Sequence, residues 1–275
     1  MCQVIDEHEL DFFRLDWNTG GHLGGQNLQD GAVENANWRY YEALYGIMER
    51  IRQRYPKLIL ENCAGGGGRT DLGMVKWFSH TWVTDWQIAP RSFSITNGMT
   101  IALPPEYVDR LLHGQANYLT GDIDFQTRIS LFGRPTIGGL LWPLGSAPNN
   151  HLLEKIRHMV DIYKNFVRPF LPESRIYHHT PTVTGRDATG FGVIELASKD
   201  RSHAIAGIFR LADVKTDPLY VLRFKGLEIG RRYKVTSDNQ ASTTIIEGRE
   251  LMFTGLTIVL SGALTSELIL CEACV

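Results

Sequence analysis

Three short segments hold the residue types that can do chemistry, and each of them follows or ends an apolar run. The first is Arg14-Leu-Asp16-Trp-Asn18, followed by the glycine-rich stretch Gly20-Gly-His-Leu-Gly-Gly25. A carboxylate at a strand end can attack a carbon centre. Arg14, Asp16 and Asn18 alternate at period two, so an extended strand points all three to one side. An ordinary strand-end ion pair between Arg14 and Asp16 explains the same residues equally well at this stage.

The second segment is Glu61-Asn-Cys63-Ala-Gly65-Gly-Gly-Gly-Arg69-Thr-Asp71. Four consecutive glycines let a backbone approach a ligand closely and aim its amides at hydroxyl groups. It is not a phosphate loop, because Arg69 rather than Lys-Ser/Thr follows the last glycine. Taken alone, a tight turn beside a buried Cys63 is the simpler account. The third segment, Trp82-Val-Thr-Asp85-Trp86, flanks a carboxylate with two indoles. Indole faces stack on the apolar faces of sugars and exclude water from a neighbouring acid. Two core tryptophans and a helix-capping Asp85 form the plainer alternative.

Elements must position these segments. From Glu34 to Arg54, the residues Trp38, Tyr41, Leu44, Tyr45, Met48 and Ile51 recur at three- and four-residue spacing, which predicts a helix stopped by Pro56. With strands at Phe12–Asp16 and Leu58–Glu61 it forms a β-α-β unit, most naturally parallel, whose strand ends are the place for chemistry. Thr81–Thr84, Met99–Leu103 and Arg128–Phe132 read as further short strands, and a helix is predicted over Asn150–Phe170. After Pro172 the pattern changes to short apolar or alternating runs with turns between them, at 191–196, 204–209, 219–224, 233–236, 243–246, 256–260 and 268–270. Such runs are the signature of an antiparallel β-sandwich. The expected organisation is therefore an α/β part over residues 1–172 and a sandwich over 173–275.

The 275 residues are 43% hydrophobic and 21% charged, enough for a sizeable core, and the net charge of -2 provides no basic field for nucleic acid. No apolar run reaches the ~20 residues that cross a bilayer. The four cysteines are too unevenly placed for a disulfide framework; Cys271-Glu-Ala-Cys274 has zinc or redox spacing but no second pair. His22 reads as a loop residue, His178 and His179 as surface or packing residues with no acidic partner nearby in sequence, and Asp122 and Asp124 as loop or cap residues.

Together and in this order, the three segments resemble glycoside hydrolase family 36, the α-galactosidase and raffinose-synthase group. Arg14-Leu-Asp16-Trp-Asn18 is similar to the family's strand-end nucleophile motif, Glu61 to Asp71 to its Glu-Asn-Cys-(Ser/Ala)-Gly-Gly-Gly-Gly-Arg-x-Asp signature, and Trp82-Val-Thr-Asp85 to its acid/base motif. The spacings between motifs agree as well. Phe224-Lys-Gly-Leu-Glu, Arg232-Tyr-Lys-Val-Thr and Gly248-Arg-Glu-Leu251 resemble its C-terminal domain.

The resemblance implies a partial (β/α)8 TIM-type barrel followed by a C-terminal antiparallel β-sandwich. It also implies a retaining α-galactosidase with Asp16 as nucleophile and Asp85 as acid/base, and sugar contacts from Arg14, Cys63, Gly65 and Trp82, with Asn18 on the same strand face. Arg14 stands where lysine is commoner. Neither a metal nor an organic cofactor is implied; the substrate is an oligosaccharide ending in α-galactose, with no nucleic-acid or membrane partner and a cytoplasmic location. Members of the family are much longer, so the chain is expected to be their C-terminal part, completed by self-association or an N-terminal portion. Alternative expectations are an incomplete sugar-binding fragment that needs a partner chain, and a raffinose-synthase-type galactosyl transferase.

Overall fold

The chain divides into two units, Met1–Asp85 and Trp86–Val275, in a computed structural model. The described residues are 1–16, 26–29, 31–35, 37–86, 88–113, 123–138, 147, 149–183, 185–212 and 217–274.

In the first unit, helix α1 (Cys2–Glu7) leads into strand β1 (Phe12–Asp16), and an antiparallel hairpin follows, β2 (Gln26–Gln29) and β3 (Ala32–Asn35). Then come helix α2 (Asn37–Arg54), strand β4 (Ile59–Cys63), the short helix α3 (Leu72–Val75) and strand β5 (His80–Trp82). Strands β1, β4 and β5 are parallel neighbours in that order. The expected β-α-β unit is thus present, though β3 takes the chain through Asn35 before α2 begins. Periodicity in α2 works through Met48 and Ile51, which are buried with Ile5, Leu58, Leu60, Met74 and Phe78 while Leu44 and Tyr45 pack beside them. Each such side chain contributes about 1.5–3 kcal/mol on burial. Arg52, in the last turn, donates to the Leu58 and Trp77 carbonyls and to Ser79 Oγ, tying the helix end to the entries of β4 and β5.

The second unit begins with helix α4 (Arg91–Ala102), strand β6 (Val108–His113), helix α5 (Ile123–Ser130), strand β7 (Arg134–Gly138) and helix α6 (Asn150–Ile162), which continues into a wider π-type turn at Tyr163–Val167. β6 and β7 are parallel. Two expected strands are corrected here: Met99–Leu103 lies in the last turn and cap of α4, and Arg128–Phe132 in the end of α5 and the turn after it. The buried face of α4 includes Ser92, Thr96, Asn97 and Thr100, whose hydroxyls at 96 and 100 bond back to the carbonyls of Ser92 and Thr96. A polar buried face leaves no apolar period to read. In α5, residues 125–130 are all buried, so burial removes the period there too.

Strands β8 (Arg175–His178), β9 (Phe191–Ala197), β10 (His203–Arg210), β11 (Leu219–Leu222), β12 (Arg232–Ser237) and β13 (Ser242–Glu247), helix α7 (Gly248–Phe253), and strands β14 (Leu256–Val259) and β15 (Ser266–Ala273) complete the chain. Six of the strands form an antiparallel sheet in the order β13-β12-β15-β10-β9-β8, and β11 pairs with β14. Alternation splits this sheet between two cores. Ile205, Phe209, Ile194 and Leu268 join Phe93, Phe125, Ile156 and Met159 from the helices. Ala206, Ile208, Val193 and Ile269 join Phe224, Leu251 and Ile258 on the other face. Covering both faces is why β9 and β10 read as nearly continuous apolar runs.

Of the two expectations for His179, a surface or a packing residue, the structure shows packing: Nε2 is 2.8 Å from Glu195 Oε2, a partner distant in sequence, and both side chains are buried. Glu195 also accepts from the amides of Lys225 and Gly226, so folding gathers its partners from two separate segments.

Candidate active site

Register builds the site. Parallel pairing sets Arg14 opposite Glu61 and Asp16 opposite Cys63, and sets Glu61 opposite His80. Because strand side chains alternate, positions 14 and 16, 61 and 63, and 80 and 82 point to one face of the three-stranded layer. The inner row is Arg14-Glu61-His80; the outer row, at the C-terminal ends, is Asp16, Cys63 and Trp82.

Contacts follow these rows. Arg14 Nη1 lies 2.9 Å from Glu61 Oε1, and Glu61 Oε2 lies 2.8 Å from His80 Nε2, with Glu61 and His80 both buried. Arg14 Nη2 donates to Asp16 Oδ2 at 3.1 Å and to Cys63 Sγ at 3.0 Å. Its guanidinium carbon sits 4.3 Å from the centre of the Trp82 ring, a cation–π arrangement. At the far edge of that indole, Nε1 donates to Asp85 Oδ1 at 2.9 Å. Asp16, Arg14, Trp82 and Asp85 therefore form one unbroken path of contacts.

The glycine run supports the Asp85 end. Gly65 and Gly66 adopt left-handed backbone, φ 54° and 83°. A Cβ on Gly66 would lie 2.9 Å from the Asp85 nitrogen and the Thr84 Cα, and one on Gly67 would lie 2.5 Å from the Val83 carbonyl. Close approach, rather than flexibility, is what these glycines provide. Arg69 closes the run by donating to the carbonyls of Leu15 and Cys63, which joins the ends of β1 and β4.

Burial works against the Arg14 charge, but the pull of Cys63, ionised at the high pH where an arginine titrates, and of Glu61, together with the bond to Asp16, outweighs it and holds its pKa above the ordinary value. Cys63 is pushed up to about 11, chiefly by burial and further by the Asp16 carboxylate, although a Gly66 amide and Arg14 oppose the shift. At neutral pH it is a thiol, whose hydrogen can point to Asp16 while its sulfur accepts from Arg14.

Arg14, Asp16, Cys63, Trp82 and Asp85 are thus brought together, with Gly65 in the loop that supports them. Asn18 lies outside the described residues. Neither plain alternative accounts for Asp85: the N-cap of α4 is Pro90, and Trp86 is exposed rather than core. Asp85 is also exposed and meets Trp82 through the indole N–H, so the dry acid expected from the sequence is not what the indole provides. Glu61 and Arg69 received no role in the sequence reading. Their signal was a charge closing the apolar run Leu58-Ile-Leu and a charge directly after four glycines.

Residues 1–170 match the melibiase family, and residues 193–270 match the glycosyl hydrolase family 36 C-terminal domain. The chain belongs to the melibiase family. Among melibiase relatives, the bifunctional alpha-galactosidase/sucrose kinase AgaSK of Mediterraneibacter gnavus is 26% identical over 83% of this chain and 23% of its own length. Alpha-galactosidase 2 of Pediococcus pentosaceus is 31% identical over 56% of this chain and 22% of its own length. The crystal structure of the family 36 alpha-galactosidase AgaA from Geobacillus stearothermophilus is similar at a TM-score of 0.81 and 23% identity, over 99% of this chain and 37% of that one. That likeness is one of fold, and it fits the reading of a partial α/β barrel followed by antiparallel sheets. This chain spans about a quarter of the length of these two relatives.

Proposed function

We propose that this chain holds the reacting groups of a retaining α-galactosidase, with Asp16 as nucleophile and Asp85 as general acid/base, residues 1–172 as the catalytic barrel portion and 173–275 as an accessory sandwich. The observation that supports this reading is the path Asp16–Arg14–Trp82–Asp85: two exposed carboxylates, one at the end of β1 and one just past the end of β5, joined by a cation and an indole. In the first step Asp16 attacks the anomeric carbon while Asp85 gives its proton to the departing oxygen. In the second, Asp85 takes a proton from water, which attacks the same carbon and releases Asp16. Retention of this kind places the two carboxyl groups roughly 5–5.5 Å apart.

Arg14, Cys63 and the backbone at Gly65 supply donors for sugar hydroxyls, Asn18 lies beside them in sequence, and Trp82 offers an apolar ring. The substrate class is an oligosaccharide ending in α-galactose; variants of the similar AgaA enzyme have been crystallised in complex with raffinose and with stachyose. The test is labelling with an activated fluorinated galactoside that traps the glycosyl-enzyme, followed by peptide mapping. Asp16 is the expected site of attachment, and a label on any other residue overturns the assignment.

A second reading rests on β1. Among the described residues its one strand neighbour is β4, and Phe12 is 45% exposed. An open strand edge of this kind calls for a covering strand, so the chain would bind sugar but need further polypeptide to hydrolyse it. Hydrolysis of an aryl α-galactoside by the purified monomer at ordinary rates excludes this reading.

A further inference from the structure

We propose that the cavity beside the π-type turn at Tyr163–Val167 is a second, non-catalytic carbohydrate site that holds one neutral sugar ring. The cavity has a volume of about 740 Å³, within the usual range for small-ligand sites. It lies wholly in the second unit, between the end of α6 and the β9–β10 hairpin, and nothing in the catalytic scheme uses it.

Its apolar part is a cluster of three rings. Phe166 and His203 meet edge to face with centres 5.3 Å apart, Phe170 stacks with His203 at 6.2 Å, and Phe166 and Phe170 are 6.1 Å apart. The π-type turn sets Phe166 in this cluster, and such widened turns recur at functional positions in helices.

Its polar part is built with equal care over geometry. Asp200 Oδ1 accepts from the hydroxyls of Ser198 and Ser202, at 2.6 and 2.7 Å, and from the Ser202 amide. These bonds, from Ser198 first and then Ser202, hold the carboxyl well below the usual carboxylate range. They leave Oδ2 as an acceptor for a ligand. The Ser202 proton goes to Asp200, so Ser202 Oγ accepts from His203 Nδ1 at 2.8 Å, and Nε2 becomes the acceptor of the neutral ring.

The hairpin tip is held in a costly conformation. Arg201 has φ 61°, a left-handed position for a non-glycine residue. It is kept there by Tyr233 Oη donating to its carbonyl and by Arg231 donating to the Asp200 carbonyl, each within 2.9 Å. Strain over-determined by its surroundings is typical of pre-organised sites.

Charge selects the ligand class. Lys199 stands against two carboxylates, Asp200 and Glu173, the latter 3.6 Å away at the mouth, so the lining carries a net negative charge that disfavours an anion and leaves Asp200 to accept from a hydroxyl. An apolar peptide would strip water from Asp200 without pairing it. A pyranose satisfies both parts, with its C–H face on the rings and its hydroxyls on Asp200, Asn165 and Lys199.

The test is titration of the isotopically labelled full chain with methyl β-galactopyranoside, a ligand that an α-galactosidase does not cleave, monitored by backbone amide shifts. Saturable shifts at Ser198, Asp200, Ser202 and His203 are expected. Phe170→Ala should weaken them about five-fold, and Lys199→Ala, at an exposed position that leaves the fold intact, about two-fold. Shifts at Cys63 and Gly65 report the catalytic site separately. No shift in the hairpin, shifts that Lys199→Ala leaves unchanged, or hairpin shifts that follow protein dilution instead of sugar, as expected of a contact between copies, would overturn the proposal.

Discussion

The contact between Arg14 and Asp16 has two explanations with different energetics. As a strand-end ion pair, each residue would be the other's main partner. As part of an active site, Arg14 is anchored by Glu61 and Asp16 stays available for attack. The Arg14–Asp16 pair spans 3.1 Å between side chains 31% and 38% exposed, a setting in which ion pairs contribute about 0.2–1 kcal/mol. Arg14–Glu61 spans 2.9 Å with Glu61 only 4% exposed, and a charge-assisted bond in such surroundings contributes about 1.5–3 kcal/mol. Double-mutant cycles separate the pairs: Arg14→Met combined with Glu61→Gln, and Arg14→Met combined with Asp16→Asn. Urea unfolding at neutral pH should give a coupling of about 2 kcal/mol for the first and about 0.5 kcal/mol for the second. A coupling to Asp16 as large as that to Glu61 would overturn the claim that the buried carboxylate anchors the arginine.

Gly66→Ala puts a Cβ 2.9 Å from backbone atoms of Thr84 and Asp85 at a φ of 83°, so it should cost about 1–3 kcal/mol, measured by thermal unfolding, and lower catalytic rate more than an alanine at solvent-facing Gly185. Phe209→Ala removes a fully buried ring that meets Phe93, Phe125 and Phe132, with an expected loss of about 3–5 kcal/mol in denaturant unfolding. Burial favours the neutral Cys63 thiol and raises its pKa in the folded state, so the stability it contributes is whole below the unfolded thiol value and is lost as pH rises through about 11. Wild type should therefore lose more stability than Cys63→Ala between pH 9 and 11, followed by urea midpoints across that range.

Where burial is apolar and one-sided, the elements were readable from residue types. The stripe through Leu44, Met48 and Ile51 located α2, and the runs after residue 190 located seven of the eight described strands that follow Pro172. Reading failed where burial is polar or all round. α4 buries Asn97, whose amide donates to the Thr180 and Val183 carbonyls while its oxygen pairs with His178 Nδ1, and no local pattern announces a helix that buries such a residue. Strand β6 was missed for a related reason: Val108-Asp-Arg-Leu-Leu-His places buried Asp109 and Arg110 inside it, and charges in a run argue against a strand until their burial is known.

Period-two spacing on its own placed Arg14 and Asp16 on one side of a strand, and four glycines before Arg69 permitted a close backbone approach, with a tight turn the simpler account. What they pack against, the segment from Val83 to Asp85, came only with the fold. So did the partnership of Arg14 with Glu61 and His80, which depends on β4 lying between β1 and β5 in a particular parallel register. Side-chain alternation is a property of neighbouring residues and is therefore written locally. Register between parallel strands is set by the helices and loops that connect them and by the core they bury, so it exists only once the chain has packed.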